Sequence, residues 1–165
     1  MNLYFAYGSN LLAERIQQRV PSATYHTVAN LKEHSLRFHK RSKDGSGKAD
    51  AFYTGEIEDS VHGVLWDILD SADLPKLDRV EGAGKGYNKA EVIVETPLGD
   101  LSAFTFFAEE QAIDPGLTPY DWYKELVIIG VREHGFPIEY LEEIESIPSM
   151  MDPDSDRATK NKLSS

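Results

Sequence analysis

Up to about residue 110, apolar positions either alternate with polar ones or come in short unbroken runs, the pattern of strands; past residue 119 they recur at helical spacing. Leu3-Tyr4-Phe5-Ala6-Tyr7 is such a run and reads as a strand buried on both faces. Residues 23–30 and 31–40 alternate, with Leu36 and Phe38 on one face and Arg37 and His39 on the other. Residues 51–57 and 61–69 are two β-prone runs joined by a short acidic turn that suits a hairpin. Residues 87–95 and 101–108 flank Thr96-Pro97-Leu98-Gly99-Asp100, a turn composition. Helices are expected at 10–19, about 71–81, about 119–134 and about 138–146. The third shows an apolar face of Trp122, Leu126, Ile129 and Val131, and Gly135 then Pro137 end it. Six or seven strands with few helices between them favour an α+β fold, its sheet antiparallel or mixed and closing into a small barrel with flanking helices. Beyond Pro148 the apolar periodicity stops, so the expected organisation is one domain over 1–148 and a polar, poorly ordered tail over 149–165.

Length and composition agree with a single domain: 165 residues, 41% apolar, hold one sizeable core. The formal net charge of -11 opposes nonspecific binding to nucleic acid or anionic lipid, so neither is an expected partner. The one basic cluster, Lys40-Arg41-Ser42-Lys43, leads into a Gly/Ser segment and reads as a solvated loop. No apolar run approaches the roughly 20 residues that span a bilayer, and Met1-Asn2-Leu3 leads directly into a strand, which together predict a cytoplasmic protein. The absence of cysteine excludes disulfides, thiolate ligands and a Cys nucleophile. His34 and His39 lie an odd number of residues apart on one strand, and His26, His62 and His134 lack ligand spacing, so no metal is expected.

Two segments carry candidate chemistry. The first strand runs into Gly8-Ser9-Asn10 and a helix then begins at Leu11. Backbone N–H groups at such a helix start have no partner within the helix, and the helix dipole adds positive potential, so an oxyanion or carboxylate fits there. The competing reading is a sharp bend at Gly8 with Ser9 or Asn10 as a cap. Ser9 as a nucleophile is disfavoured, since Gly8-Ser9-Asn10 is not the nucleophile-elbow pattern. The second segment is Leu77-Asp78-Arg79-Val80-Glu81-Gly82. At about 100° per residue, Leu74, Leu77 and Glu81 point nearly the same way, which aims a carboxylate at the core. Partial desolvation there raises a Glu pKa above about 4.3, the property of a general base or acid. If the helix instead frays before Gly82, Glu81 is an ordinary solvated residue. Gly82-Ala83-Gly84-Lys85-Gly86 lacks the spacing of a phosphate-binding loop and precedes a strand, so it reads as a tight turn returning Tyr87 toward Glu81.

Tyr4-Phe5-Ala6-Tyr7-Gly8-Ser9-Asn10-Leu11, Val20-Pro21-Ser22-Ala23, and Leu77-Asp78-Arg79-Val80-Glu81-Gly82 followed by Tyr87 together resemble the γ-glutamylcyclotransferase family, over residues 1 to about 148. Tyr123-Lys124 and Gly130-Val131-Arg132-Glu133-His134-Gly135-Phe136-Pro137 are similar to its C-terminal helix. The resemblance implies a mixed, mostly antiparallel small barrel and an enzyme without metal or cofactor that cyclises a γ-glutamyl group to 5-oxoproline and releases the attached amine. It implies that Glu81 is the general base and acid. It implies that Tyr7, Gly8, Ser9, Asn10 and Leu11 bind the glutamyl carboxylate or the developing oxyanion, and that Tyr87 and Tyr123 line the substrate site. For both tyrosines the alternative is core packing with one polar tip. Phe106 stands where relatives often have Tyr, which bears on substrate identity. A homodimer accords with the resemblance, and a binding protein for a small γ-glutamyl or carboxylate ligand, without chemistry, is the competing function. The leaving amine is left open; residues 41–50 and 111–119 are candidate walls for it.

Overall fold

The computed structural model describes residues 1–162. Strand β1 (Leu3–Ala6) is buried throughout, as its unbroken apolar run requires. It lies at the seam of a closed barrel of order β1-β5-β2-β6-β7, with β2 over Ala23–Lys32, β5 over Ser60–Ile68, β6 over Tyr87–Thr96 and β7 over Gly99–Ala108. Neighbouring strands run antiparallel except where β1 meets β7, which is parallel and pairs Tyr4 with Phe104. The barrel is therefore mixed and mostly antiparallel. β5 needs glycine at position 63, where a Cβ would come within 2.6 Å of the Phe5 ring; the missing side chain lets β1 and β5 close on the core.

One strand pairing differs from expectation. Residues 51–57 and 61–69 do not form a hairpin with each other. Strand β3 (His34–Arg41) pairs instead with β4 (Gly47–Tyr53) as a separate two-stranded ribbon, while β5 inserts between β1 and β2. The N–H groups of Thr54 and Gly55 donate to the Glu33 carbonyl, which ties the exit of β4 to the β2–β3 corner rather than to β5. The basic segment is also more ordered than a solvated loop. Ser42 N–H donates to the Ser46 carbonyl and Asp44 Oδ1 accepts from Ser46 N–H at 3.0 Å, so a tight turn closes and β4 begins at Gly47. The β3–β4 register slips between Arg37 and Lys40, which buries Phe38 and His39 together instead of on opposite faces.

Helix α1 (Ala13–Arg19) is preceded by a separate 3-10 turn over Ser9–Leu11, splitting the helix expected from residue 10. Helix α2 (Leu74–Glu81) carries Pro75 in its first turn and ends on Gly82 at φ 70°, a left-handed position that glycine adopts without strain. Helix α3 (Asp121–Glu133) packs on the 3-10 turn, and Gly130 permits this because a Cβ there would lie 2.6 Å from that of Leu11. Helix α4 (Ile138–Ser146) follows.

Beyond Pro148 the structure again differs from the expected tail. Met150 bridges to Tyr120, and α5 (Ser155–Asn161) is capped by the Asp154 carboxylate. Asp152 is buried and accepts from Trp122 Nε1 at 2.9 Å and from Arg157 Nε and Nη2 at 2.7 and 2.5 Å. Polar pairing rather than an apolar stripe fixes this segment, which is why hydrophobic periodicity did not reveal it.

Candidate functional site

Glu81 is the last residue of α2 and sits one turn after buried Leu77 on the same stripe. The helix does not fray before it: Gly82 N–H donates to Arg79 O and Ala83 N–H to Asp78 O, which closes the last turn. The carboxylate accepts from Asn10 Nδ2 at 2.5 Å, with the Tyr4 hydroxyl 3.5 Å away. Asn10 is held on every side. Its Nδ2 also donates to the Tyr4 hydroxyl at 3.2 Å, its Oδ1 accepts from Arg19 Nη1 at 3.3 Å, and its carbonyl accepts from Trp66 Nε1 at 2.9 Å. The turn after β1 thus orients the one side chain that orients Glu81.

Burial lifts the Glu81 pKa above its ordinary value of 4.5, and the charge of Arg19, the Asn10 hydrogen bond, Arg15 and Tyr4 pull it back only in part. No cation pairs directly with this carboxylate among the described residues. That is the electrostatic setting of a carboxylate able to take and return a proton.

Glu81 borders a cleft of about 660 Å³ that also receives Tyr7, Gly8, Ser9, Asn10, Tyr87 and Tyr123. Ser9 and Asn10 are the first residues of the 3-10 turn, so their N–H groups have no acceptor within it. Ser9 Oγ accepts from Arg15 Nε at 3.0 Å, and its partner is a guanidinium rather than a histidine base. Leu11 is the one anticipated binding residue outside the cleft lining: its N–H donates to Gly8 O, its carbonyl accepts from His134 Nε2 at 2.7 Å, and its side chain is fully buried.

The tyrosines have structural duties as well as a place at the cleft. Tyr7 donates to the Phe106 carbonyl. Tyr87 donates to Ala49 O at 2.6 Å while the Tyr123 hydroxyl accepts from Ala49 N–H at 3.1 Å, so the pair holds both backbone polar groups of Ala49 in β4. Burial pushes Tyr4, Tyr7 and Tyr87 well above 10 and Tyr123 up to about 12, so all four hydroxyls are neutral at physiological pH. Gly8 faces Tyr123: a Cβ at Gly8 would sit 3.2 Å from that hydroxyl.

Sequence reasoning missed Tyr4, Arg15 and Arg19. The two arginines are four residues apart, hence on one face of α1, directly after the Gly8-Ser9-Asn10 turn, and that spacing was the available signal. Tyr4 carried none, because within an apolar strand a tyrosine looks like core. No group of three or more His, Asp or Glu residues with metal-ligand geometry occurs among the described residues, and no described helix is long and apolar enough to cross a membrane.

Comparison with known proteins places this barrel and its flanking helices in a family. The AIG2-like family matches residues 60–144. Gamma-glutamylcyclotransferase of Bos taurus is 36% identical over 153 residues, and that of Homo sapiens 36% identical over 154, each match covering 88% of this chain and 78% of the relative. A solved structure of a gamma-glutamyl cyclotransferase superimposes with a TM-score of 0.80 at 32% identity, covering 96% of this chain and 98% of that one. The chain belongs to the γ-glutamylcyclotransferase family. A binding role without chemistry is not favoured by this kinship.

Proposed function

We propose that this protein is a γ-glutamylcyclotransferase: it converts the γ-glutamyl group of a small substrate to 5-oxoproline and releases the attached amine, with Glu81 as the shared general base and acid. The observation that carries the assignment is the Glu81 carboxylate, desolvated, free of a direct ion pair and fixed by Asn10 at the edge of the cleft. Glu81 takes a proton from the substrate α-ammonium. The freed amine attacks the γ-carbonyl carbon of the same molecule, a C–N bond forms, and the carbonyl oxygen becomes an oxyanion. As that oxyanion collapses, the original amide C–N bond breaks and the leaving nitrogen takes the first proton from Glu81; the ring nitrogen, which still carries two hydrogens after its attack, then loses one through Glu81 to the departing amine, which leaves as an ammonium. One carboxylate serves every transfer because each proton leaves one nitrogen and reaches another of the same substrate.

The N–H groups of Ser9 and Asn10, with Arg15 and Arg19 behind them, suit the glutamyl α-carboxylate. Attack within one bound molecule avoids the entropy of bringing two reactants together, so holding that carboxylate still supplies a large share of the acceleration. Neutral Tyr87 and Tyr123 border the same volume, and Phe106 leaves its part of the wall without a hydroxyl. The reading also sets the reaction in the cytoplasm. The test is 5-oxoproline release from a panel of γ-glutamyl compounds by the wild type and by Glu81→Gln. Release by the first and its loss in the second supports the assignment; no release, or equal release, overturns it.

A further inference from the structure

The charge of the cleft runs opposite to the charge of the molecule. The chain has 17 Lys and Arg residues against 28 Asp and Glu, yet eight of the basic residues line this one cleft beside only two acidic ones, Asp78 and Glu81. The cations divide by what they do. Arg15 and Arg19 hydrogen-bond Ser9 and Asn10 on the side of the 8–11 turn. Lys48 pairs with Asp44 at 3.4 Å and Arg41 with Asp114 at 3.6 Å. The other four, Arg79 on α2 and Lys40, Lys43 and Lys85, have no ion-pair partner among the described residues. The three lysines come from other elements than the arginines of α1: Lys40 near the end of β3, Lys43 in the turn that follows, and Lys85 in the 82–86 turn.

Lys40 is the most constrained of the three. Its ammonium stands 4.6 Å from the centre of the Tyr87 ring, and its chain lies so close to Gly86 that a Cβ there would fall within 2.7 Å of Lys40 Cε. Partial burial lowers its pKa, so keeping it charged has a cost that an anionic ligand would offset. Lys43 adds repulsion to that cost, which Glu81, Asp44 and Glu109 offset only in part. The arginine side already accounts for the single carboxylate of the glutamyl unit, so the lysine side is surplus to it.

Resting on the cyclotransferase reading, we propose that the leaving amine of the preferred substrate carries at least two negative charges, as an acidic amino acid or a short acidic peptide does, and that Lys40, Lys43 and Lys85 receive it. The glutamyl unit then sits on the arginine side and the anionic leaving group on the lysine side, with the scissile amide between them at Glu81.

Three nearly isosteric substrates test this: γ-glutamyl-glutamate, γ-glutamyl-glutamine and γ-glutamyl-glutaminamide, whose leaving groups carry two, one and no carboxylates. At low ionic strength kcat/KM is expected to rise with each carboxylate, with about a tenfold preference for γ-glutamyl-glutamate over γ-glutamyl-glutamine that shrinks as salt screens the lysines. Lys40→Met combined with Lys85→Met is expected to bring that ratio to about twofold or less, and Lys43→Met, at an exposed turn position, gives a milder version should the double variant fail to fold. Equal turnover of the three substrates by the wild type, with release still dependent on Glu81, overturns the charge assignment and leaves the cyclotransferase reading standing. Absence of 5-oxoproline from all three and from the wider γ-glutamyl panel overturns both.

Discussion

Two carboxylates, the half-buried Glu81 at the cleft and the buried Asp152 in the C-terminal segment, have opposite electrostatics. Asp152 receives two hydrogen bonds from the Arg157 guanidinium and one from the Trp122 indole, and these hold its pKa well below the usual carboxylate range. Glu81 receives a hydrogen bond from a neutral amide and lies near a neutral phenol, and its two nearby arginines are spent on Asn10 and Ser9; its pKa rises. The chemical group is nearly the same in both places. The difference is whether a cation was placed in contact with the carboxylate or one residue behind it. A fully paired carboxylate fastens one segment to another; an underpaired one beside a cleft remains able to take a proton.

The sharpest way to break this contrast is Glu81→Gln, which keeps size and the Asn10 contact while removing the proposed base. We expect kcat/KM for 5-oxoproline release to fall by roughly 10²–10⁴-fold, while thermal unfolding at pH 7 shows a midpoint no lower than the wild type. The sign of the stability effect follows from the raised pKa. The folded state holds this proton more tightly than the unfolded chain, so Glu81's contribution is fully present below its unfolded value of about 4.5 and is lost as pH rises through the folded pKa. At neutral pH the ionised carboxylate is a cost that Gln does not carry. With Glu81 as the proposed base, kcat/KM of the wild type is expected to fall on the acid side with an apparent pKa above 4.5, and an acid limb at or below that value would contradict the burial argument.

A smaller effect is expected at Asn10, which holds Glu81 without touching the reaction centre through its side chain. Losing a hydrogen bond to a charged group costs about 1.5–3 kcal/mol, which corresponds to roughly 10–100-fold in rate. Asn10→Ala should therefore lose that much kcat. Because this bond favours the ionised carboxylate, its removal should also move the acid limb to higher pH. A lost rate with an unmoved limb would show that Asn10 supports only the local fold.

The same contrast explains what could be read from the sequence. Each barrel strand was legible because it must satisfy a face, and Leu77 to Glu81 was legible because helical geometry fixes where a carboxylate four residues on must point. The Gly8-Ser9-Asn10 turn was legible as a binding turn, but not that Asn10 turns its amide onto Glu81, 71 residues away. Long-range polar partnerships of this kind leave no periodic trace. The β4–β5 hairpin was misplaced for a related reason: an acidic turn between two β-prone runs is good local grounds for a hairpin, and only the bonds from Thr54 and Gly55 to Glu33 overrule it. Past Pro148 the absence of apolar periodicity pointed to a tail, whereas Asp152, Arg157 and Trp122 hold that segment by polar contacts. Lys40 and Lys43 were visible as a charge run; that they face a cleft depends on the register of β3 against β4.

The smallest effect on activity belongs to Asp152→Asn, and it completes the comparison. Asn removes the charge that pairs with Arg157 while the indole of Trp122 retains an acceptor, so the segment loosens without altering the cleft. We expect kcat/KM within about twofold of the wild type and an unfolding midpoint lower by roughly 3–8 °C. The pH dependence should mirror that of Glu81. Asp152 has a folded pKa depressed below its unfolded value of about 3.8, so its stabilising contribution is fully present above that value and is lost only as pH falls through the folded pKa. The midpoints of variant and wild type should therefore stay apart across neutral and mildly acidic pH and converge only in strong acid. A large loss of activity in Asp152→Asn would mean that the C-terminal segment reaches the reaction through Arg15, whose Nη1 lies 3.5 Å from Asn161 of α5, and would join the two carboxylates into one functional unit.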